Sequence, residues 1–232
     1  MRMKRFVKRV VWDNLIGSIR DGLAMQRIQP LIAEGSYIPW SDSALSATAI
    51  STVLNDIVVN SRSTIVECGG GVSTIYVGSL LRQIDRIDAH LYTIEHDEEW
   101  IEILEEMIKD HRIDEWVTVV HAPLSHTPIS WSGERWYDTS VLESMLRDIR
   151  IDLLLVDGPP AHEEEIKYAR YPAVPFFEET LADSYSIIID DINRSSEYNI
   201  TRKWEEILEV NFEDRIMSGD ISVAISGESH NV

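Results

Sequence analysis

Residues 64–81 read TIVECGGGVSTIYVGSLL: an apolar run carrying Glu67, a glycine triplet at Gly69, Gly70 and Gly71, then apolar residues at helical spacing. Three consecutive glycines cost backbone entropy and pack nothing. They mark either a tight strand-to-helix turn or a place where a ligand comes close to the backbone. In a doubly wound sheet, ligands bind beyond the carboxyl ends of the strands. There, glycines let backbone N–H groups approach a ligand, and the next helix presents its N-terminus to it.

The stretches on either side repeat this alternation. Helical character covers residues 1–35, and a loop with Pro39 and Trp40 covers 36–44, with Ser43 as a candidate cap for a helix reaching Val59. Strand character then recurs at 64–68, 89–95, 116–122, 151–157 and 184–191. Helices are expected at 72–86, 97–110, 139–149 and 195–210, with 162–182 mostly helical and a loop at 122–138. Ser218-Gly219-Asp220 sits between two short β-like runs, a hairpin signal. The fold class expected is α/β: a doubly wound, mostly parallel seven-stranded sheet with one antiparallel strand, preceded by N-terminal helices. An N-terminal helical segment (1–35) and one further domain (36–232) are the expected organisation.

Composition narrows the partners. Forty acidic residues against 21 basic ones give a net charge of −19. A broad nucleic-acid-binding surface is excluded by that balance. The exception is the start of the chain, where Arg2, Lys4, Arg5, Lys8 and Arg9 accompany a helical stripe of Phe6, Val7, Val10, Val11, Leu15 and Ile16. Such a helix docks on its own domain, on a second subunit in a homodimer, or on a membrane surface. Asp13, Asn14 and Arg20 interrupt any secretory core, and no run is long enough to span a bilayer. Cys68 is the single cysteine, so neither an internal disulfide nor a cysteine-rich zinc site exists. A cytoplasmic location is the expectation.

The second strand ends in Glu95, an acid placed to accept hydrogen bonds from a ribose diol. A dinucleotide fingerprint would read G-x-G-x-x-G, but Thr74 stands where its last glycine belongs. A carboxylate at Glu67 also disfavours a pyrophosphate and suits a cationic amino-acid cofactor.

The pattern Glu67, Gly69, Gly71 with Glu95 resembles the class I S-adenosylmethionine-dependent methyltransferases. The likeness extends to IDLLLVDGPP (151–160) and to ARYPAVPFFEETLADSYSIIIDDINR (169–194), which look like a small bacterial-type subgroup with VDGPP and DDxxR motifs. It implies a Rossmann-like methyltransferase domain over 36–232 and S-adenosyl-L-methionine as cofactor. Gly69, Gly70, Gly71 and Glu67 would form the cofactor loop, with Ser73 and Thr74 capping the helix or touching the cofactor carboxylate. Glu95 would bind ribose and His96 would help place the adenosine. Pro123 and Leu124, after the third strand, would wall the adenine.

Asp157 ends the fourth strand, and Asp190 and Asp191 end the fifth. Three carboxylates at adjacent strand ends repel unless neutralised. A hard divalent cation such as Mg²⁺ would do this, and the arrangement resembles metal-dependent O-methyltransferases. Arginines such as Arg170 or Arg194 would also do it. Asp157, Asp190 and His162 are the candidate catalytic groups. Trp40, Trp131, Trp136 and Tyr137 lie in loops expected on the substrate side. The function expected is methyl transfer to a hydroxyl of a sugar, glycan or small polar metabolite. A catalytically inactive cofactor-binding module or partner subunit is the alternative.

Overall fold

A computed structural model describes the backbone of residues 2–41 and 43–231, and the side chains from residue 15 onward within that range. Helix α1 (Arg2–Ile28) ends in a 3-10 turn at 29–32, where Pro30 follows the last helical turn. Its C-terminal half is docked: Ala24 and Ile28 are buried, and Asp21 accepts a hydrogen bond from the Thr48 N–H at 2.9 Å. Leu15 and Ile16, expected in an apolar stripe, remain half-exposed. Phe6, Val7, Val10, Val11 and the basic side chains before them lie outside the described residues. No described helix is long and apolar enough to cross a membrane.

Helix α2 (Ala47–Val59) starts later than the sequence suggests, and its cap is Ser46, whose Oγ accepts from the Ala49 N–H at 3.1 Å. Ser43 instead pairs with the Ser41 hydroxyl. The alternating units follow: β1 (Thr64–Cys68), α3 (Val72–Gln83), β2 (His90–Glu95), α4 (Glu98–Asp110) and β3 (Val117–His121). The stretch 122–138, read as loop, holds a short antiparallel pair, β4 (Leu124–His126) and β5 (Arg135–Tyr137). Helix α5 (Thr139–Leu146) and strand β6 (Ile151–Val156) come next.

The largest departure is at 162–182. Of the expected helix only α6 (Ala173–Phe177) forms, with single 3-10 turns at 164–166 and 178–180. Pro172 and Pro175 remove backbone donors there, and proline disfavours the α region for the residue before it. Strand β7 (Leu181–Ile189), helix α7 (Ser195–Leu208) and the hairpin β8 (Phe212–Arg215) and β9 (Ile221–Ser226) complete the chain.

The sheet order is β3-β2-β1-β6-β7-β9-β8. Strands β3, β2, β1, β6 and β7 pair in parallel, and β9 runs antiparallel to both β7 and β8. Side-chain alternation divides the core between the two faces. Ile65, Leu153 and Leu155 pack on Ile50, Val53, Ile75 and Leu104 on one side. Val66, Leu154 and Val156 pack on Leu142, Phe177, Ile200 and Trp204 on the other. Burying each such side chain contributes about 1.5–3 kcal/mol. The order reverses between β1 and β6, so their carboxyl ends, Cys68 and Val156, open a crevice at the switch point.

Candidate active site

The three glycines are there for different reasons. Gly69 has φ +91°, the left-handed region, and a Cβ on it would lie 2.9 Å from the Gly158 nitrogen. A Cβ on Gly70 would fall 2.6 Å from Leu104 Cδ2 and 2.8 Å from Thr93 Oγ1. Gly71 is extended, with φ −177°, and a Cβ on it would meet nothing within 4 Å. The first two are demanded by the protein's own packing; the third borders open cleft.

Glu67 does not line that cleft. It is fully buried beneath the loop, where Oε1 accepts from the Ser73 hydroxyl and Oε2 from the Thr74 hydroxyl. Thr74 Oγ1 in turn accepts from the Gly71 N–H at 2.9 Å. Burial pushes the Glu67 carboxyl up to about 7, against the lowering effect of these hydroxyls. Its role in the geometry is to tie the loop to the first turn of α3.

Glu95 closes the loop from the side. Its Oε1 accepts from the N–H groups of His96 (2.6 Å) and Asp97 (3.0 Å), and Oε2 from Gly70 (3.2 Å). Burial raises this carboxyl, but His96 and these backbone donors outweigh it and leave the pKa below the ordinary value. The His96 ring lies with Nδ1 2.7 Å from Glu95 Oε1, and the neighbouring carboxylate raises its pKa. Asp97 caps α4, accepting from the Glu99 and Trp100 N–H groups. Trp100 Nε1 donates to the Gly70 carbonyl at 2.8 Å, a brace the sequence did not signal.

The opposite wall is acidic. Asp157, Asp190 and Asp191 bring one carboxylate oxygen each within 4.8 Å of one another, as the strand ends predict. Arg170 reaches them from the turn that precedes α6. Its Nη2 donates to Asp157 Oδ1 at 3.3 Å, and its Nη1 to Asp191 Oδ2 at 3.0 Å and to the Asp190 carbonyl at 3.4 Å. Arg194 Nη1 lies 2.9 Å from the same Asp191 oxygen. Burial lifts Asp157 to about 6, with Arg170 opposing. Burial and the neighbouring Asp157 and Asp191 lift Asp190 well above the carboxylate range.

Asp191 and Asp220 hold φ values of 61° and 60°. Strained non-glycine backbone of this kind costs of order 1–3 kcal/mol and persists where surroundings dictate it. Here Ile192 N–H donates to the Asp220 carbonyl, joining the two turns. Asp220, read from sequence only as a hairpin turn, therefore also borders the cleft.

The cleft these groups enclose has a volume of about 480 Å³. Gly69, Gly70, Gly71, Ser73, Glu95, His96, Asp157, His162, Asp190 and Asp191 all border it. Thr74 is buried behind the loop, and His162 is exposed, 3.8 Å from Glu163. Pro123 and Leu124 do not border the cleft: the Pro123 carbonyl accepts from the Asp138 N–H, and Leu124 pairs with Tyr137 in the β4–β5 ladder. Of the loop aromatics, Trp40 packs on Tyr76, Trp131 stacks on Tyr168 and Trp136 is buried against Phe176. Tyr137 alone of the four borders the cleft.

The family described as a methyltransferase domain matches residues 66–192, more than half of the chain. The chain belongs to the class I S-adenosylmethionine-dependent methyltransferases. A comparison with curated protein sequences gives no match. Among solved structures, the chain is similar to a Podospora anserina methyltransferase bound to S-adenosylhomocysteine (TM-score 0.60, 11% identity, 98% of this chain and 97% of that one). It is also similar to the O-methyltransferase TomG from Streptomyces achromogenes in complex with S-adenosylmethionine (0.53, 15%, 88% and 90%). An O-methyltransferase from Bacillus cereus in complex with S-adenosylhomocysteine aligns at 0.52 (16% identity, 89% and 90%). These likenesses establish the fold of this methyltransferase, a seven-stranded Rossmann-like sheet with one antiparallel strand.

Proposed function

We propose that this methyltransferase methylates a hydroxyl group of a small polar acceptor, such as a sugar or a metabolite. The observation that carries the reading is one cleft with two unlike ends. A glycine loop with Glu95 forms one end, and the carboxylates Asp157 and Asp190 form the other.

S-adenosylmethionine supplies the methyl group when bound. The loop fits it: Gly71 leaves the space a Cβ would occupy, and a cleft of this volume suits a nucleoside-sized ligand. In this reading Glu95 accepts from the ribose hydroxyls, and its three backbone donors hold the carboxylate ionised and oriented for that task. Glu67, Ser73 and Thr74 act one layer behind, fixing the loop. His96 supports Glu95 from the rim.

Asp157 is the base. It sits beside the strand end where the acceptor enters, and a carboxyl near pH 6 is ionised at neutral pH while retaining some basicity. It takes the acceptor's proton at a carboxylate oxygen. Asp190, whose carboxyl is raised by burial and by the neighbouring Asp157 and Asp191, lines the same end of the cleft. His162, exposed on the rim, orients the acceptor.

For Mg²⁺ the oxygen spacing of Asp157, Asp190 and Asp191 is suitable, but two of the three carboxylates are already bonded to Arg170, which is 5% exposed. A divalent ion among them would stand against a guanidinium that has no room to withdraw. We read Arg170 and Arg194 as the counter-charge, so the residues present do not fit a resident metal.

Turnover is tested by incubating the protein with methyl-labelled S-adenosylmethionine and a panel of hydroxyl, amine and thiol acceptors. Label in a hydroxyl acceptor supports the reading. Label only in amines or thiols overturns it. Cofactor binding without turnover on any acceptor supports the inactive-module alternative.

A further inference from the structure

We infer that the Tyr137 hydroxyl is a cofactor-binding group, held unpaired in the ligand-free protein and satisfied only when an oxygen acceptor of the bound cofactor enters the cleft. The inference rests on the reading of the cleft as the cofactor site.

Three observations meet at this side chain. Tyr137 is fully buried yet borders the cleft. Its hydroxyl has no hydrogen-bond partner among the described residues. It is also wedged at the switch point, because a Cβ on Gly158 would come within 2.5 Å of that oxygen and 2.8 Å of Gly69 Cα. The phenol therefore lies over the two glycines at the carboxyl ends of β1 and β6. On its other flank the ring meets His96 edge-on, with centroids 6.4 Å apart, beside Glu95. This places the hydroxyl between the loop end of the cleft and the acid end.

A buried hydroxyl without a partner is unfavourable, and native proteins keep few such groups. Packing does not explain this one. Phenylalanine would fill the same space beside Trp136 and would avoid an unpaired oxygen over Gly158. The ring is also fixed, since β4–β5 pairing sets its backbone and Trp136 contacts its edge. The hydroxyl is thus preorganised in the wall of the cleft, beside the space where the cofactor offers ribose oxygens and an amino-acid carboxylate.

The sign of the effect separates this role from a structural one. Calorimetry with S-adenosylhomocysteine and with adenosine is carried out on the full chain and on Tyr137→Phe, alongside melting curves with and without ligand. Tyr137→Phe is expected to melt at or above the parent temperature when ligand-free, and to bind S-adenosylhomocysteine about 5- to 20-fold more weakly. An equal loss for adenosine assigns the ribose as acceptor; an intact adenosine affinity assigns the carboxylate. Unchanged S-adenosylhomocysteine affinity in Tyr137→Phe, with the parent binding well, overturns the inference and leaves the cofactor site standing. A ligand-free variant that melts lower, with an undiminished ligand-induced shift, also overturns it. Absence of binding to the parent protein removes the cofactor reading itself.

Discussion

Arg170 and Asp157 meet at 3.3 Å, Nη2 to Oδ1, with the arginine 5% exposed and the aspartate 16%. The same guanidinium spans to Asp191 through Nη1, so one planar group links the ends of β6 and β7. Geometry of this kind is particular to arginine, whose fork matches two carboxylates at once.

Arg170→Leu should destabilise the fold by about 3 kcal/mol, because it removes the arginine paired with Asp157 and leaves Asp191 with Arg194 alone. Urea unfolding measures this directly. Adding Asp157→Asn to Arg170→Leu should recover part of the loss. A variant as stable as the parent would show that the pair carries no weight.

Catalysis should survive metal removal. With Arg170 and Arg194 already bonded to Asp157 and Asp191, dialysis against EDTA is expected to leave the turnover rate and the affinity for S-adenosylhomocysteine unchanged. Activity that vanishes with EDTA and returns with Mg²⁺ would show that the cation displaces the guanidinium contacts.

Much of this arrangement is legible in the sequence because strand ends in an α/β sheet are read by alternation alone. Glu95, Asp157 and Asp190 follow apolar strands, so their convergence needs no tertiary information. Tertiary roles are harder to read. Glu67 and Glu95 look alike as acids near the glycine loop, yet one faces the hydroxyls of α3 and the other the cleft. The partner of Asp157 lies 13 residues downstream in a segment that reads as helix. That segment is not a continuous helix: turns precede Pro172, and Arg170 is buried within them. The β4–β5 pair is three residues per strand, too short for a periodicity signal, and it is what carries Tyr137 into the site.

Gly69 and Gly71 should respond differently to substitution. Gly69→Ala forces a side chain into φ +91° and against Gly158, so it is expected to lower stability by about 1–3 kcal/mol. Gly71→Val fills open cleft from extended backbone, so it should melt near the parent temperature while losing S-adenosylhomocysteine binding. Thermal melting and calorimetry on the two variants make the comparison. Normal binding by Gly71→Val would reduce the loop to a turn.

Glu95→Gln should weaken S-adenosylhomocysteine binding by about 1–3 kcal/mol, the scale of hydrogen bonds to a charged group. It also removes charge from the oxygens that Gly70, His96 and Asp97 donate to. Calorimetry at constant pH gives the answer, and an unchanged affinity in a folded variant would refute the ribose role.

Asp157 should make activity and stability run in opposite directions with pH. Its carboxyl has an ordinary value of 3.8 and is lifted to about 6 in the fold, chiefly by burial. Below pH 3.8 the folded and unfolded chains both hold the proton. Between 3.8 and 6 the folded protein keeps a proton that the unfolded chain has released, so this group's contribution to stability falls as pH rises. The loss levels off above about 6, at a size of about 3 kcal/mol on the scale of 1.36 kcal/mol per pKa unit. Burial at Asp220, lifted to about 6, adds a slope of the same sign, so the informative quantity is the parent's profile minus that of Asp157→Asn. Over the same interval the ionised base accumulates, and kcat/KM should rise with an inflection near pH 6. Urea melts and initial rates from pH 4.5 to 8 test both arms. An Asp157→Asn variant that retains the parent's activity and its rate inflection would move the base elsewhere, with His162 next in reach of the acceptor.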